Sequence, residues 1–236
     1  FSPQADVRAV NVKRGKSGIC MDVIINDRKA ISTRTLQAVD LPMFGDHNIQ
    51  NALAAIAIAS EMGIEDNILQ GGLSNFAGVK RRFTKTGEVD GVTVIDDYGH
   101  HPVEIMAVLA AAREASEGQV IAVMQPHRYT RLRDLFEDFC TCFNDADAVL
   151  ITDVFAAGEE PIKGVDRDAL VRGLRERGHR TVMPLIDSEN LPGIINDLSG
   201  PGDMVVCLGA GSITQLANAL PEKLRMLRYG SEGSQE

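Results

Sequence analysis

No stretch of this 236-residue sequence approaches the ~18 consecutive apolar residues that a membrane-crossing helix requires, and no signal peptide is evident. A chain that spans no membrane is therefore expected. Positive charge is short as well: 24 lysines and arginines face 33 aspartates and glutamates, for a net charge of −9. That balance argues against a general binder of nucleic acid or of anionic membrane. Cysteine is scarce. Of the four, only Cys140 and Cys142 lie close together, inside an apolar helical pattern and without metal-ligand spacing. A reduced, cytoplasmic chain is the simplest reading. An initiator methionine is also lacking: Phe1-Ser2-Pro3 runs straight into strand-like residues, as expected of a cut inside a longer protein. A phosphate-binding P-loop is missing too. Gly15-Lys16-Ser17 imitates its end, but the glycine needed five residues earlier is Val10, and the surroundings are hairpin-like. A turn is expected there.

What is present suffices for a substantial core: 44% of the residues are hydrophobic and 24% charged, in one large domain or two small ones. Residues 4–42 read as three strands, 7–12, 19–25 and 30–39, joined by turns into an antiparallel meander. The Ala-rich run 52–62, stopped by Gly63, is a helix. Its entry holds His47, Asn48 and Asn51, and the two asparagines are three residues apart, so their amides face one way. Either Asp46 or Asn48 caps this helix, or the cluster reads a heteroaromatic edge. A short helix over 66–73 follows, with a domain boundary near Gly78.

Lys80-Arg81-Arg82-Phe83 is a basic knot in an acidic chain, suited either to water or to phosphate. Strands over 92–96, 119–124, 147–152, 180–186 and 203–208 then alternate with helices over 102–115, 129–143, 166–177, 188–198 and 212–219. That alternation predicts a mostly parallel sheet with helices on both faces. Ligands of such sheets sit beyond the carboxyl ends of the strands. The first strand empties into Asp96, Asp97, Tyr98, His100 and His101, and the second into Gln125, His127, Arg128, Tyr129 and Arg131. Arg128 and Arg131 are expected on one face of a first helical turn. Cations there oppose the helix dipole, so an anionic ligand explains them better than stability does. Gly209-Ala210-Gly211 is either a tight turn or a ligand contact. Leu132, Leu135, Phe136, Phe139 and Phe143 form a core stripe, and 229–236 reads as a disordered polar tail.

In order along the chain, GDHNIQNALAA at 45–55, KRRF at 80–83, DDYGHHP at 96–102, QPHRYTR at 125–131, DVFAAGEEPIKGVD at 153–166 and GAGSIT at 209–214 resemble the Mur ligases. The likeness is nearest to the branch whose acceptor is L-alanine. A murein-peptide recycling branch shares HNxxNALAA and HHP, but typically carries Phe-Ala where this chain has Tyr98-Gly99 and lacks the HRYTR run. The resemblance implies residues 1–77 as the end of a central ATPase domain, 78–228 as a C-terminal Rossmann-like α/β domain, and 229–236 as the tail. It implies ATP-dependent ligation, in which the lactyl carboxylate of UDP-N-acetylmuramate becomes an acyl phosphate that L-alanine attacks. By motif position, Asn48, Asn51 and His47 would lie at the adenine, Arg82 at the ATP phosphates or ribose, and Asp97 at the ribose hydroxyls. Tyr98, His100, Arg128 and Arg131 would lie at the acceptor. Mg2+ ligands and the P-loop would lie upstream of Phe1, leaving this piece inactive alone. A nucleotide-binding module without catalysis is the alternative of a different class.

Overall fold

The computed structural model describes residues 2–15, 18–28, 31–76 and 78–230. They form two compact units, Phe1–Val79 and Lys80–Glu236.

In the first unit, β1 (Val7–Gly15), β2 (Gly18–Asp27) and β3 (Ser32–Leu41) form an antiparallel sheet in the order β1-β2-β3. Gly15 pairs with Gly18 across the first connection, so a hairpin stands where the P-loop imitation lies; Lys16 and Ser17 are outside the described residues. Ala30, the expected start of the third strand, is outside them too. Ile19, Met21, Val23 and Ile25 alternate onto the buried face of β2. On β3 the buried residues are Leu36, Val39 and Leu41, and the first two stand three residues apart because a bulge shifts the register between Met21 and Val23. Asp22 Oδ1 accepts from the Ala38 backbone N–H within that bulge.

Helices α1 (Asp46–Glu61) and α2 (Asp66–Ser74) cover the sheet, with Ile49, Ala52, Leu53, Ile56 and Leu69 in the shared core. Gly45 caps α1 at φ 84° without any side-chain cap, so neither Asp46 nor Asn48 does the expected capping. A side-chain cap contributes about 0.5–2 kcal/mol, whereas burying a large aliphatic chain contributes about 1.5–3 kcal/mol. Ile49 and Ile56 are both fully buried, so packing sets where α1 lies.

The second unit is a six-stranded sheet ordered β4-β5-β9-β6-β7-β8: β4 (Thr84–Val89), β5 (Val92–Asp97), β6 (Val120–Met124), β7 (Ala148–Ile151), β8 (Val182–Pro184) and β9 (Met204–Leu208). All are parallel except β4, an edge strand that sequence reading missed because TKTGEV is polar. Its turn into β5 is Asp90-Gly91, both at positive φ, as a tight hairpin demands. Strands β6 and β9 are buried throughout, and their side chains alternate between two cores. Ala122, Met124 and Val206 meet α3 (Pro102–Ala115), α4 (Tyr129–Asp134), α5 (Phe136–Phe139) and α6 (Arg167–Glu176) on one face. Ile121, Val123, Val205 and Cys207 meet α7 (Leu191–Leu198) and α8 (Ile213–Tyr229) on the other. The expected α/β architecture with helices on both faces is therefore present.

Two helices differ from expectation. The helix expected over 129–143 is split at Leu135, although Leu132, Phe139 and Phe143 still face the core. Helix α8 runs ten residues past its expected end, straight through Pro221, and takes in Tyr229 from the expected tail. Residues 231–236 lie outside the described residues. Proline lacks the N–H that would bond Ala217 O one turn back. Thr86 Oγ1 of β4 donates to that carbonyl instead, at 2.8 Å. No described helix is long and apolar enough to cross a membrane.

Candidate functional site

The end of β5 sends consecutive carboxylates to opposite faces of the sheet. Asp96, 3% exposed, accepts from Thr214 Oγ1 at 2.6 Å. Asp97, 2% exposed, accepts from Phe83 N–H on one oxygen and Gly99 N–H on the other, each at 2.7 Å. Asp97 thus ties the basic knot and the Tyr98 loop to the strand end. Expected at the ribose, it is engaged in this structure with backbone amides.

Beyond Asp97 the chain turns at Gly99 into α3. His101 accepts from Val103 N–H, while Glu104 accepts from the backbone of His100 at 3.0 Å and of His101 at 3.2 Å, a capping box. His101 is therefore accounted for by helix capping. His100 differs. Its Nδ1 lies 2.9 Å from the Tyr98 carbonyl, which can only accept, so the hydrogen sits on Nδ1 and, in the neutral ring, Nε2 is the accepting nitrogen. The ring meets Tyr98 edge-on at 5.3 Å and lies 5.7 Å from His127.

The segment after β6 delivers His127 beside them. His127 stacks on Phe155 at 5.4 Å, and burial together with the nearby Arg131, His100 and Arg128 pushes its pKa down. Arg128 and Arg131 do not share a helix face. Arg128 is the N-cap residue of α4 at φ 73°, half-exposed, with Nη1 3.7 Å from Glu159 Oε1. Arg131 turns back and donates from Nη1 to the His127 carbonyl at 3.0 Å and approaches its Nδ1 at 3.2 Å. One arginine faces outward, and the other holds an imidazole. Glu159, which the sequence places after the third strand without a role, accepts from Thr130 N–H at 3.0 Å and Thr130 Oγ1 at 2.6 Å. The Thr130 hydroxyl and amide hold its carboxyl below the usual range. The signal for it was the GEEP run at 158–161, whose first acid caps a helix from another loop.

The chain leaves neighbouring β6 and β9 toward opposite faces, which opens a crevice between them. Gln125 fills it, donating to Ser212 Oγ at 3.1 Å and accepting from Ile213 N–H at 3.1 Å. A Cβ on Gly211 would stand 2.4 Å from Gln125 Oε1 and 2.6 Å from Phe155 Cγ. Close packing thus explains that glycine without a ligand. The exposed polar side chains flanking this end of the sheet are Tyr98 and Arg82 near β5 and Arg128 beyond β6, with His100 partly exposed beside Tyr98.

In the first unit, Asn48 is buried and donates to Phe44 O at 2.8 Å, and its Oδ1 faces Asn51 Nδ2 at 3.4 Å. Asn51 is exposed and His47 half-buried. Among the described residues, no group of three or more His, Cys, Asp or Glu could hold a metal ion. All four cysteines are free, and burial pushes the Cys142 and Cys207 thiols up.

A mostly parallel sheet with helices on both faces and polar loops gathered at its strand ends defines an α/β domain of the doubly covered class. Residues 81–211, more than half of the chain, match the family model described as Mur ligase, glutamate ligase domain, and the chain belongs to the Mur ligase family. It is 59% identical to the UDP-N-acetylmuramate–L-alanine ligase of Rhodospirillum centenum over 234 residues, 99% of this chain and 48% of that protein. Its identity to the ligase of the same name from Paramagnetospirillum magneticum is 58%, over 100% of this chain and 50% of the relative. A solved UDP-N-acetylmuramate-alanine ligase from Thermotoga maritima shares the fold, with a TM-score of 0.76 at 23% identity over 96% of this chain and 47% of that one. The chain spans about half the length of the curated relatives it matches.

Proposed function

We propose that this chain serves within an ATP-dependent ligase that joins L-alanine to UDP-N-acetylmuramate in peptidoglycan synthesis. The observation that carries the reading is identity of 59%, spread over nearly the whole chain, to a relative bearing that name. A carboxylate becomes electrophilic when one oxygen takes the γ-phosphoryl group of ATP. The alanine nitrogen then attacks the acyl carbon, the C–O bond breaks, and phosphate leaves. Catalysis of this kind depends mainly on positioning and on cations that offset developing charge.

The residues of this chain suit those needs. Arg128, half-exposed and outward, is assigned to the alanine carboxylate, and Arg131 to orienting His127. His100, with its hydrogen fixed on Nδ1 by the Tyr98 carbonyl, offers Nε2 to take a proton from the attacking amine. Arg82 is exposed and suited to phosphate. Asn51, steadied by Asn48, presents an amide suited to an adenine edge. Asp97 is assigned to holding the Arg82 loop. Magnesium finds no ligand set among the described residues, so no step is assigned to it.

The test is phosphate release by the full-length gene product given ATP, UDP-N-acetylmuramate and L-alanine. Alanine-dependent phosphate is expected. Phosphate released only with a murein peptide would replace this reading with the recycling ligase, and ATP binding without turnover would leave a nucleotide-binding module.

A further inference from the structure

The basic knot at 80–83 divides in the structure. Arg82 is exposed, but Arg81 turns inward, with its side chain 25% exposed. Arg81 Nη2 donates to the carbonyl of Gly209 at 2.6 Å and lies 3.4 Å from that of Gly211. Its Nε is 3.8 Å from Asp96 Oδ2, and its guanidinium sits 4.7 Å over the Tyr98 ring. The Arg81 carbonyl in turn accepts from Tyr98 N–H at 2.7 Å. An arginine serving only solubility keeps its head in water. Arg81 instead joins three segments that are distant in sequence, and does so from a left-handed backbone, φ 60°, that disfavours any residue with a Cβ.

Asp96 explains why the cation is needed there. It is 3% exposed, Thr214 holds one oxygen, and Oδ1 and Arg81 Nε are both buried without a hydrogen-bond partner. A buried carboxylate is strongly disfavoured without a nearby cation. Arg81 is the cation closest to it, and Tyr98 is thereby held between Arg81 and Arg82, whose guanidinium is 5.8 Å from the ring.

We propose that Arg81 is a positioning residue for the ligation. Anchored on the Gly209–Gly211 turn and on Asp96, it carries the Tyr98 ring and sets the path of the loop that presents Arg82. This inference rests on the ligase reading above. In the intact enzyme, Arg81→Ala is expected to raise KM for both ATP and alanine and to lower kcat/KM by about a hundredfold, the scale of a misplaced reacting group. Arg81→Lys keeps the charge beside Asp96 but cannot span two carbonyls. It should fold as wild type and recover only part of kcat/KM, which keeps the test open should the alanine variant fail to fold. Variants that lose kcat in step with folded fraction at unchanged KM, or a lysine variant equal to wild type, would overturn the proposal.

A second readout does not depend on catalysis. The 236-residue chain has no tryptophan and three tyrosines, so tyrosine emission is readable in it. Arg81→Ala should increase acrylamide quenching of that emission, and the increase should vanish in a Tyr98→Phe background. Unchanged quenching overturns the positioning role even if the ligase is active. Failure of the wild-type enzyme to release alanine-dependent phosphate overturns the functional reading instead.

Discussion

Arg128 occupies a backbone region, φ 73°, that costs a non-glycine residue about 1–3 kcal/mol. Such strain persists where surrounding contacts hold it, and here the Arg128 N–H bonds Phe155 O at 2.9 Å while its head faces Glu159. That placement was only half legible. The spacing of Arg128 and Arg131 suggested a shared helix face, but the helix begins at Tyr129, as expected, with Arg128 outside it as the N-cap, and Arg131 folds back on His127. On the proposed ligase reading, Arg128→Ala in the intact enzyme should raise KM for alanine at least about tenfold, since a hydrogen bond to a charged group is worth about 1.5–3 kcal/mol. KM for ATP should hardly move, and equal rises for both substrates would remove Arg128 from the acceptor site. His127 gives a prediction in pH. Burial and neighbouring cations hold its folded pKa below the ordinary value of about 6.5. As pH falls through that value the unfolded chain takes the proton first, so stability should decline until folded His127 is also protonated. Denaturant midpoints across pH 7 to about 4.5 should show this component of the decline, and His127→Gln should abolish it. An unchanged slope in the variant would contradict the assignment.

Among the elements, α8 was the least legible because its continuity depends on a residue 131 positions away. Read locally, Pro221 and the polar residues after it end a helix. In the fold, edge strand β4 lies against that turn, and Thr86 Oγ1 supplies the donor that proline lacks. A Cβ on Gly87 would stand 2.7 Å from Pro221 Cβ, so the strand must present glycine there. β4 itself escaped notice for the complementary reason: an edge strand with one face in solvent carries few apolar residues. The arrangement predicts a coupled pair. Thr86→Val keeps the shape but orphans Ala217 O, and should cost about 1–3 kcal/mol in urea unfolding. Pro221→Ala restores an N–H to that carbonyl, so Thr86→Val should cost clearly less in that background. Additive effects in the double-mutant cycle would mean that Thr86 does not substitute for the missing donor.

For the molecule as a whole, the alternation of strands and helices made the architecture of the second unit readable, because fully buried parallel strands are near-continuous apolar runs. The strand order was not readable. β9 inserts between β5 and β6, a pairing of residues about a hundred positions apart that no local pattern encodes. The two units also differ in how they bury their surface. The first packs a three-stranded sheet on one face, through a single core that includes Met21, Val23, Val39, Ile49 and Ile56. The second sandwiches a six-stranded sheet between two cores. Smaller units bury a smaller fraction of their surface and are correspondingly less stable. Urea should therefore unfold residues 1–79 before 80–236. The two events are separable by eye, because all three tyrosines, Tyr98, Tyr129 and Tyr229, lie in the second unit and the chain has no tryptophan. Far-UV circular dichroism, which senses both units, should begin to fall at urea concentrations where tyrosine emission is still native. Superimposable curves from the two probes would instead mark a single cooperative block.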